Sequence, residues 1–467
     1  MPEPTFQKIA VVLLSLGVAA CAPRTAGMAG GPTNPSHALI RESSVRAHMA
    51  FLASDALNGR GSGTRDELIA VTYAASQMLR WGLEPMGDAG GYVQTIDIER
   101  PELASAPVLT IGDRRYTHGK GMTVTTMSAP AVAGTLAAWQ PGDAAGKGTV
   151  IVVPELTREV SSSVGNAAMI LARSCGGFRG QSGALPRVTP RTVGAPGVAR
   201  PTCVALDEEG FSAAGKLPAG SRVSLEASVK TVQKANTWNA VGRLTGSDPT
   251  QSQEVILLSA HIDHVGVRRA AAQPATAAAG DTIFNGADDD ASGSIAVLEL
   301  AQAIAAGPRP KRTIVFALFG SEESGGTGSR YFADKPVVPL DRIVANLQFE
   351  MIGRPDAEVP PHTLWLTGYE RSNLGPELAK RGAKLVQDPH PKEGFFTRSD
   401  NIQFARRGVI AHTVSSYGLH KDYHQLSDEI DTIDFAHMTD AIESMLEPIR
   451  WLANSTFKPE WRPGMKP

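Results

Sequence analysis

Glu254–Gly266 reads EVILLSAHIDHVG and Asn285–Gly293 reads NGADDDASG. The first opens on a short apolar run, Glu254–Ser259, that predicts a buried strand. The second runs into Ala291–Ala306, where Val297, Leu300, Ala301 and Ile304 recur at helical spacing until Gly307-Pro308 stops the pattern. Two histidines and three consecutive aspartates therefore lie where a strand ends and a helix begins, the edge at which open α/β sheets bind ligands. A single Asp at such a place reads as a helix cap. Here His261 and Asp263 precede Asp288, Asp289 and Asp290, and acids so crowded repel one another unless a cation or proton sits among them. The stretch predicts a metal.

Outward from it, strands and helices alternate. Val255–Ser259, Thr313–Leu318, Ile343–Phe349, Thr363–Leu366 and Val409–Val414 read as strands, with helical stretches near 292–306, 373–382, 399–407 and 436–452. That alternation predicts an α/β fold, a mixed, mostly parallel sheet with helices on both faces, over residues 230–457. Residues 38–100 read as a helical part of the same domain, with amphipathic patterns around Val45, Met49 and Leu52 and around Val71, Ala74, Ala75 and Met78. Between those patterns, Asp55–Thr64 (DALNGRGSGT) reads as a plain Gly-rich connector. Residues 101–229 change character: short apolar runs such as Thr149–Val153, many Gly and Pro, and a helix signal at Asn166–Arg173. They predict an inserted β-rich domain without chemistry of its own.

The N-terminus differs in kind. Ile9–Ala20 is apolar but too short to span a bilayer, and it suits the core of a secretory signal occupying residues 1–20. Val18-Ala19-Ala20-Cys21 resembles the lipobox of bacterial lipoproteins, so Cys21 is the expected lipidation site. The expected location is a membrane facing the periplasm, with simple secretion as the alternative. Residues 21–37, rich in Gly, Pro and Ala, read as a flexible tether. With Cys21 lipidated, Cys175 and Cys203 remain of the three cysteines. An even pair in an oxidising compartment predicts a disulfide. A net charge of −2 and the lack of any Lys/Arg block argue against a nucleic-acid partner and leave the lipid anchor as the expected membrane contact.

Four further clusters stand at predicted strand ends. Thr313–Leu318 runs into FGSEESGG with Glu322 and Glu323, and Ile343–Phe349 delivers Glu350. Val409–Val414 leads into SSYGLHKDYHQLSDEID with His420 and His424, and TRSDN places Arg398 beside Asp400. Singly each has an ordinary structural explanation. Together His, Asp and Glu at successive strand ends are the ligand chemistry of zinc, and about five such ligands exceed what one catalytic zinc takes. Two metals sharing a carboxylate fit better.

In order, AHIDHVG, NGADDDASG, SEES, NLQFEMIGR and DYHQLSDEID resemble the co-catalytic di-zinc aminopeptidases, a family that includes secreted bacterial leucyl aminopeptidases and, more distantly, glutamate carboxypeptidases. The motifs span roughly residues 236–435, and the lead-in FLASDALNGRGSGT is similar as well. The resemblance implies two Zn²⁺ per chain, peptide substrates and, for residues 101–229, a protease-associated type of insertion. Residue by residue it implies His261, Asp289, Glu323, Glu350 and His424 as metal ligands, with Asp289 bridging. Asp263 would orient the His261 imidazole and Glu322 would be the general base. One position departs: Glu350 stands where secreted aminopeptidases of the family commonly carry Asp, and its extra methylene lengthens the arm to one metal. Arg398, Asp400 and Tyr417 are candidates for the substrate pocket. His264 and His420 read as loop histidines that could touch substrate and stay outside the metal set, and Asp288 and Asp290 read as supports of loop geometry.

The expected activity is removal of N-terminal residues. A carboxypeptidase or dipeptidase on the same scaffold stays open, with Arg398 as a carboxylate clamp. A glutaminyl-cyclase-like single-zinc site fits less well, since both histidines and both adjacent glutamates are present. A non-catalytic relative should have lost ligands or the base, and none is missing. No G-x-S-x-G occurs, which disfavours a serine hydrolase.

Overall fold

Every residue of Val255–His261, Thr313–Phe319 and Ala411–Ser415 is buried, as is all of Ile343–Phe349 except Val344. Strands buried on both faces belong to a parallel sheet covered on both sides, and the computed structural model has that arrangement. It describes residues 40–140, 143–175, 185–193, 201–267 and 280–467. The signal segment, the tether and Cys21 lie outside the described residues.

The core strands, in chain order, are β1 (Val93–Leu103), β2 (Val229–Leu244), β3 (Val255–His261), β4 (Thr313–Phe319), β5 (Ile343–Phe349), β6 (Leu364–Leu366), β7 (Leu385–Gln387) and β8 (Ala411–Ser415). Across the sheet they run β1-β2-β4-β3-β5-β8-β6-β7. The middle four, β4, β3, β5 and β8, are mutually parallel, while β2 joins β4 and β6 joins β8 antiparallel. The carboxyl ends of the four parallel strands therefore share one edge. That edge receives His261, the Glu322-Glu323 loop after Phe319, Glu350 after Phe349, and the His424 loop after Ser415.

Helices cover both faces. Val255, Leu257, Val315, Ala317 and Phe319 cluster with Phe332 and Ala333 of the helix Thr327–Asp334 and with Ile402 and Phe404 of the helix Asn401–Ala405. Alternation turns the intervening strand residues the other way. There Gly293–Ala305 packs on the sheet, and the helices Glu42–Leu52, Arg65–Arg80 and Phe435–Asn454 pack on it. Sandwiched so, Gly293–Ala305 is buried almost all round, Leu298 and Glu299 included, and not only on the stripe expected from its spacing.

Two sequence expectations give way here. Residues 38–100 are not helical throughout, because Val93–Leu103 is a long strand paired antiparallel with Val229–Leu244. This pair forms the stem of the inserted domain. Asn166–Arg173 is not a helix either. Met169–Ala172 is a fully buried strand, parallel to Thr149–Val152 on one side and to Thr202–Leu206 on the other. Neighbours on both sides override a local helical preference. The insertion closes as a β-barrel from Val108 to Glu226. Cys175, just beyond Met169–Ala172, is disulfide-bonded to Cys203.

Candidate metal centre

Asp289 occupies the middle of the centre. Its Oδ1 lies 3.2 Å from His261 Nε2 and its Oδ2 lies 3.2 Å from His424 Nε2, so the two oxygens of one carboxylate face two different histidines. Glu323 Oε1 is 3.0 Å from His424 Nε2 and 2.9 Å from His264 Nδ1. One ligand atom from each of His264, Asp289, Glu323 and His424 falls within 4.8 Å of the others. The structure thus draws together Asp289, Glu323 and His424 of the expected ligands and adds His264. His261 stands on the other side of Asp289, and Glu350 lines the same cleft.

His264 and His420 are not surface histidines. His264 is fully buried, and His420 Nε2 lies 2.9 Å from Asp288 Oδ2. Asp288 and Asp290 hold the loop together, as expected. Asp288 Oδ1 accepts from Gly353 N at 2.7 Å. Asp290 accepts from the backbone N–H groups of His261, Gly293 and Met351, tying the ends of β3 and β5 to the helix that begins at Gly293.

Asp263 acts differently from the expectation. The His261 Nδ1–H donates to the backbone carbonyl of Asp263 at 3.1 Å, while the nearer carboxylate oxygen is 3.6 Å away. That bond leaves Nε2 facing Asp289. The carboxylate instead accepts from Glu322 N at 2.9 Å, Glu323 N at 3.4 Å and Ser62 Oγ at 2.5 Å. Asp263 positions the loop that carries both glutamates.

Ser62 belongs to Asp55–Thr64, which is no plain connector. Arg60 is fully buried and donates to the carbonyls of Ile262, Asn285, Gly286 and Leu52. Gly59, at φ +66, lets this loop close on the site: a Cβ there would lie 2.2 Å from the Phe284 carbonyl oxygen. Glu67, one turn into the next helix, accepts from Ser321 N at 2.8 Å. Ser321 and Met351, each beside a functional glutamate, and His424 itself hold positive φ. Such backbone costs on the order of 1–3 kcal/mol per residue and persists only where its surroundings over-determine it.

The charges fit a cation. Burial alone would lower the His424 pKa, but Glu323 and Asp289 outweigh it and hold the group at about 11. His261 is likewise held well above its ordinary value against burial, by Asp290, Asp263 and Asp289. Burial opposes ionisation of Glu323, yet His424 brings it to about 2. Burial pushes Glu350 up to about 8, with Glu322 and Asp289 adding repulsion. Imidazoles that keep protons only because carboxylates surround them are sites where a divalent cation displaces protons. Glu323 Oε1, Asp289 Oδ2, Glu350 Oε2 and both His264 nitrogens are buried without a hydrogen-bond partner among the described residues, although several approach one another at hydrogen-bond distance. Close approach at angles unfit for hydrogen bonding is what donor atoms converging on a metal show.

The cleft beside these residues measures ≈ 500 Å³, counting its open mouth. Glu322 and Arg398 line it, and Met351, Trp365, Phe395 and Tyr417 form an apolar cup. Tyr423, which sequence reasoning passed over, also lines it and stacks on His424 with ring centroids 4.0 Å apart. Asp400 does not line the cleft. It is buried against Ser329 Oγ, because it immediately precedes Asn401–Ala405 and turns with that helix into the core.

Residues 239–448 match the model of peptidase family M28. The leupeptin-inactivating enzyme 1 of Streptomyces exfoliatus is 33% identical over 219 residues, which cover 44% of this chain and 46% of that protein. The match thus spans about half the length of that curated relative. An aminopeptidase from Aneurinibacillus sp. strain AM-1 superposes with a TM-score of 0.53 at 18% identity, covering 92% of this chain and 96% of its own. A zinc aminopeptidase from Bacillus subtilis superposes with a TM-score of 0.51 at 18% identity, covering 89% and 96%. The fold is therefore similar to that of these aminopeptidases, with the barrel as an additional sheet domain.

Proposed function

We propose that the protein is a zinc-dependent exopeptidase that uses two metal ions to release N-terminal residues from peptides. The observation that carries this is Asp289, with one oxygen toward His261 and the other toward His424. His261, Asp289 and Glu350 would hold one ion, and Asp289, Glu323 and His424 the other. When bound, the ions polarise the scissile carbonyl and lower the pKa of water. Glu322 is the general base: its backbone N–H is held by Asp263, its side chain lines the cleft, and it takes a proton from the attacking water and delivers it to the leaving amine. Glu322 and Glu350 make the cleft wall acidic, which suits a free α-ammonium group. The apolar cup suits a large apolar side chain at the substrate N-terminus.

One observation favours a second reading. Arg398 reaches the same cleft with its guanidinium 4.7 Å from the Phe395 ring centroid, and a carboxylate clamp there would make the enzyme a carboxypeptidase or dipeptidase. We further propose export, with lipidation at Cys21. The Cys175–Cys203 disulfide supports an oxidising compartment.

The test is a panel of aminoacyl-p-nitroanilides with and without chelator, followed by zinc add-back, alongside amino-blocked and carboxyl-blocked dipeptides. The expected result is chelator-sensitive cleavage that needs a free amino end. Hydrolysis indifferent to chelator would overturn the metal reading, and preferential cleavage of amino-blocked substrates would overturn the end preference.

A further inference from the structure

Three histidines, rather than the two of the family pattern, face Asp289 and Glu323. The third, His264, sits in a place built for it. Its backbone N–H donates to the Arg60 carbonyl at 3.1 Å, and Gly61 forms a parallel bridge with it. Behind the ring is Gly286 at φ +58, where a Cβ would come within 2.5 Å of the imidazole carbons. Only glycine gives both that backbone and that clearance. In front, Nδ1 lies 2.9 Å from Glu323 Oε1 and 3.9 Å from Asp289 Oδ2. The side chain is wholly buried, and its Nδ1 has two carboxylates before it while no partner stands at Nε2 among the described residues. Two carboxylates and two imidazoles converging on so small a buried space are matched by a cation among them.

Resting on the two-metal reading, we propose that His264 is a fourth side-chain ligand of the ion held by Asp289, Glu323 and His424. The geometry is of the right size. Nitrogen and oxygen ligands about 2.0–2.2 Å from a tetrahedral zinc stand roughly 3.3 Å from one another. Among His264 Nδ1, His424 Nε2, Asp289 Oδ2 and Glu323 Oε1, four of the six separations are 2.9, 3.0, 3.2 and 3.9 Å, and one ligand atom of each residue lies within 4.8 Å of the others. Asp289 Oδ1 remains for the His261 side.

The two sites are then unequal. Four side chains hold the first, which can still expand its coordination, whereas His261, Asp289 and Glu350 hold the second with three. The four-ligand site should hold its zinc while the three-ligand one exchanges.

Zinc K-edge X-ray absorption of the two-zinc wild-type protein should count three imidazoles over two ions. Chelator competition should show one zinc leaving early and one late, and His264→Ala should raise the dissociation constant of the late zinc at least tenfold. His264→Gln, which keeps volume and a donor atom, serves if the alanine variant does not fold, and the absorption count on the wild type needs no variant. Two imidazoles over two ions, with both zincs held as tightly by the variant, would overturn this assignment and leave the two-metal function standing. A wild-type protein that takes up no zinc would instead overturn that function itself.

Discussion

Replacing Arg60 by Met keeps most of a buried volume and removes its guanidinium. Four carbonyl oxygens, those of Leu52, Ile262, Asn285 and Gly286, then lose a donor. The Gly286 carbonyl keeps the Ala291 N–H at 3.3 Å, so at about 1 kcal/mol for each of the other three acceptors left unpaired, the low end of the range, the loss is roughly 3 kcal/mol. The guanidinium also faces Asp263, Asp428, Asp290 and Asp289, so its removal adds repulsion. Against this, Met carries none of the desolvation cost of a buried cation. The net expectation is a loss of about 3–5 kcal/mol, out of a total stability on the order of 5–15 kcal/mol. At roughly 2 °C of Tm per kcal/mol this is a fall of about 6–10 °C. Circular-dichroism melts at one fixed scan rate, in chelator so that metal does not contribute, measure it directly. Arg60→Lys should recover only part, since an ammonium cannot reach four carbonyls at fixed angles as the planar fork does. A methionine variant melting within about 1 °C of the wild type would refute the claim that this loop clasps the site.

Glu322→Gln should keep the fold and the zinc content while lowering kcat by about 10²–10⁴, the usual worth of general base catalysis; retained turnover would remove Glu322 from that role. Asp289→Ala should lose zinc from both sites and His261→Ala from one, as read by elemental analysis of dialysed protein; equal losses would argue against a bridging carboxylate. Ser62→Ala removes a hydrogen bond to the buried Asp263 carboxylate, and at about 1.5–3 kcal/mol it should lower kcat by roughly ten- to a hundredfold with zinc content unchanged. Burial lowers His412 to about 4, and its ring donates to Thr367 O while accepting from Ser372 Oγ, so it is neutral in the fold. Below about pH 6.5 the unfolded chain binds a proton there that the fold does not. Its contribution, about 3 kcal/mol, is therefore complete above pH 6.5 and lost as pH falls toward 4. The slope of unfolding free energy against pH in that window should be shallower by one proton in His412→Asn, and equal slopes would exclude the effect.

What could be read without coordinates was whatever repeats or concentrates along the chain. Apolar runs too short for helices gave the four parallel strands, since burial on both faces leaves a continuous hydrophobic signature. Acids and histidines directly after those runs marked the sheet edge. The stem strands Val93–Leu103 and Val229–Leu244 were not legible as a pair, because a whole barrel separates them and pairing so distant leaves no local trace. Asp55–Thr64 reads as a connector because its glycines look the same whether a loop is free or pressed against Phe284 and Gly266. His264 illustrates the same limit. Its spacing of three from His261 was visible, but only burial by Arg60, Gly61 and Gly286 separates a ligand from a loop histidine. Tyr423 is adjacent to His424 in sequence, yet its stacking on that ring depends on the path of the whole loop.

By itself, then, the sequence determined the class of fold, the crowding of charge at one sheet edge and the residue types able to bind zinc, because periodicity, composition and like-charge repulsion are local properties. The tertiary structure decided which oxygen of Asp289 meets which histidine, that Asp263 holds the glutamate loop rather than the imidazole through its carboxylate, and that a third histidine joins the centre. Those are matters of direction over a few ångströms between segments far apart in the chain, and only packing sets them.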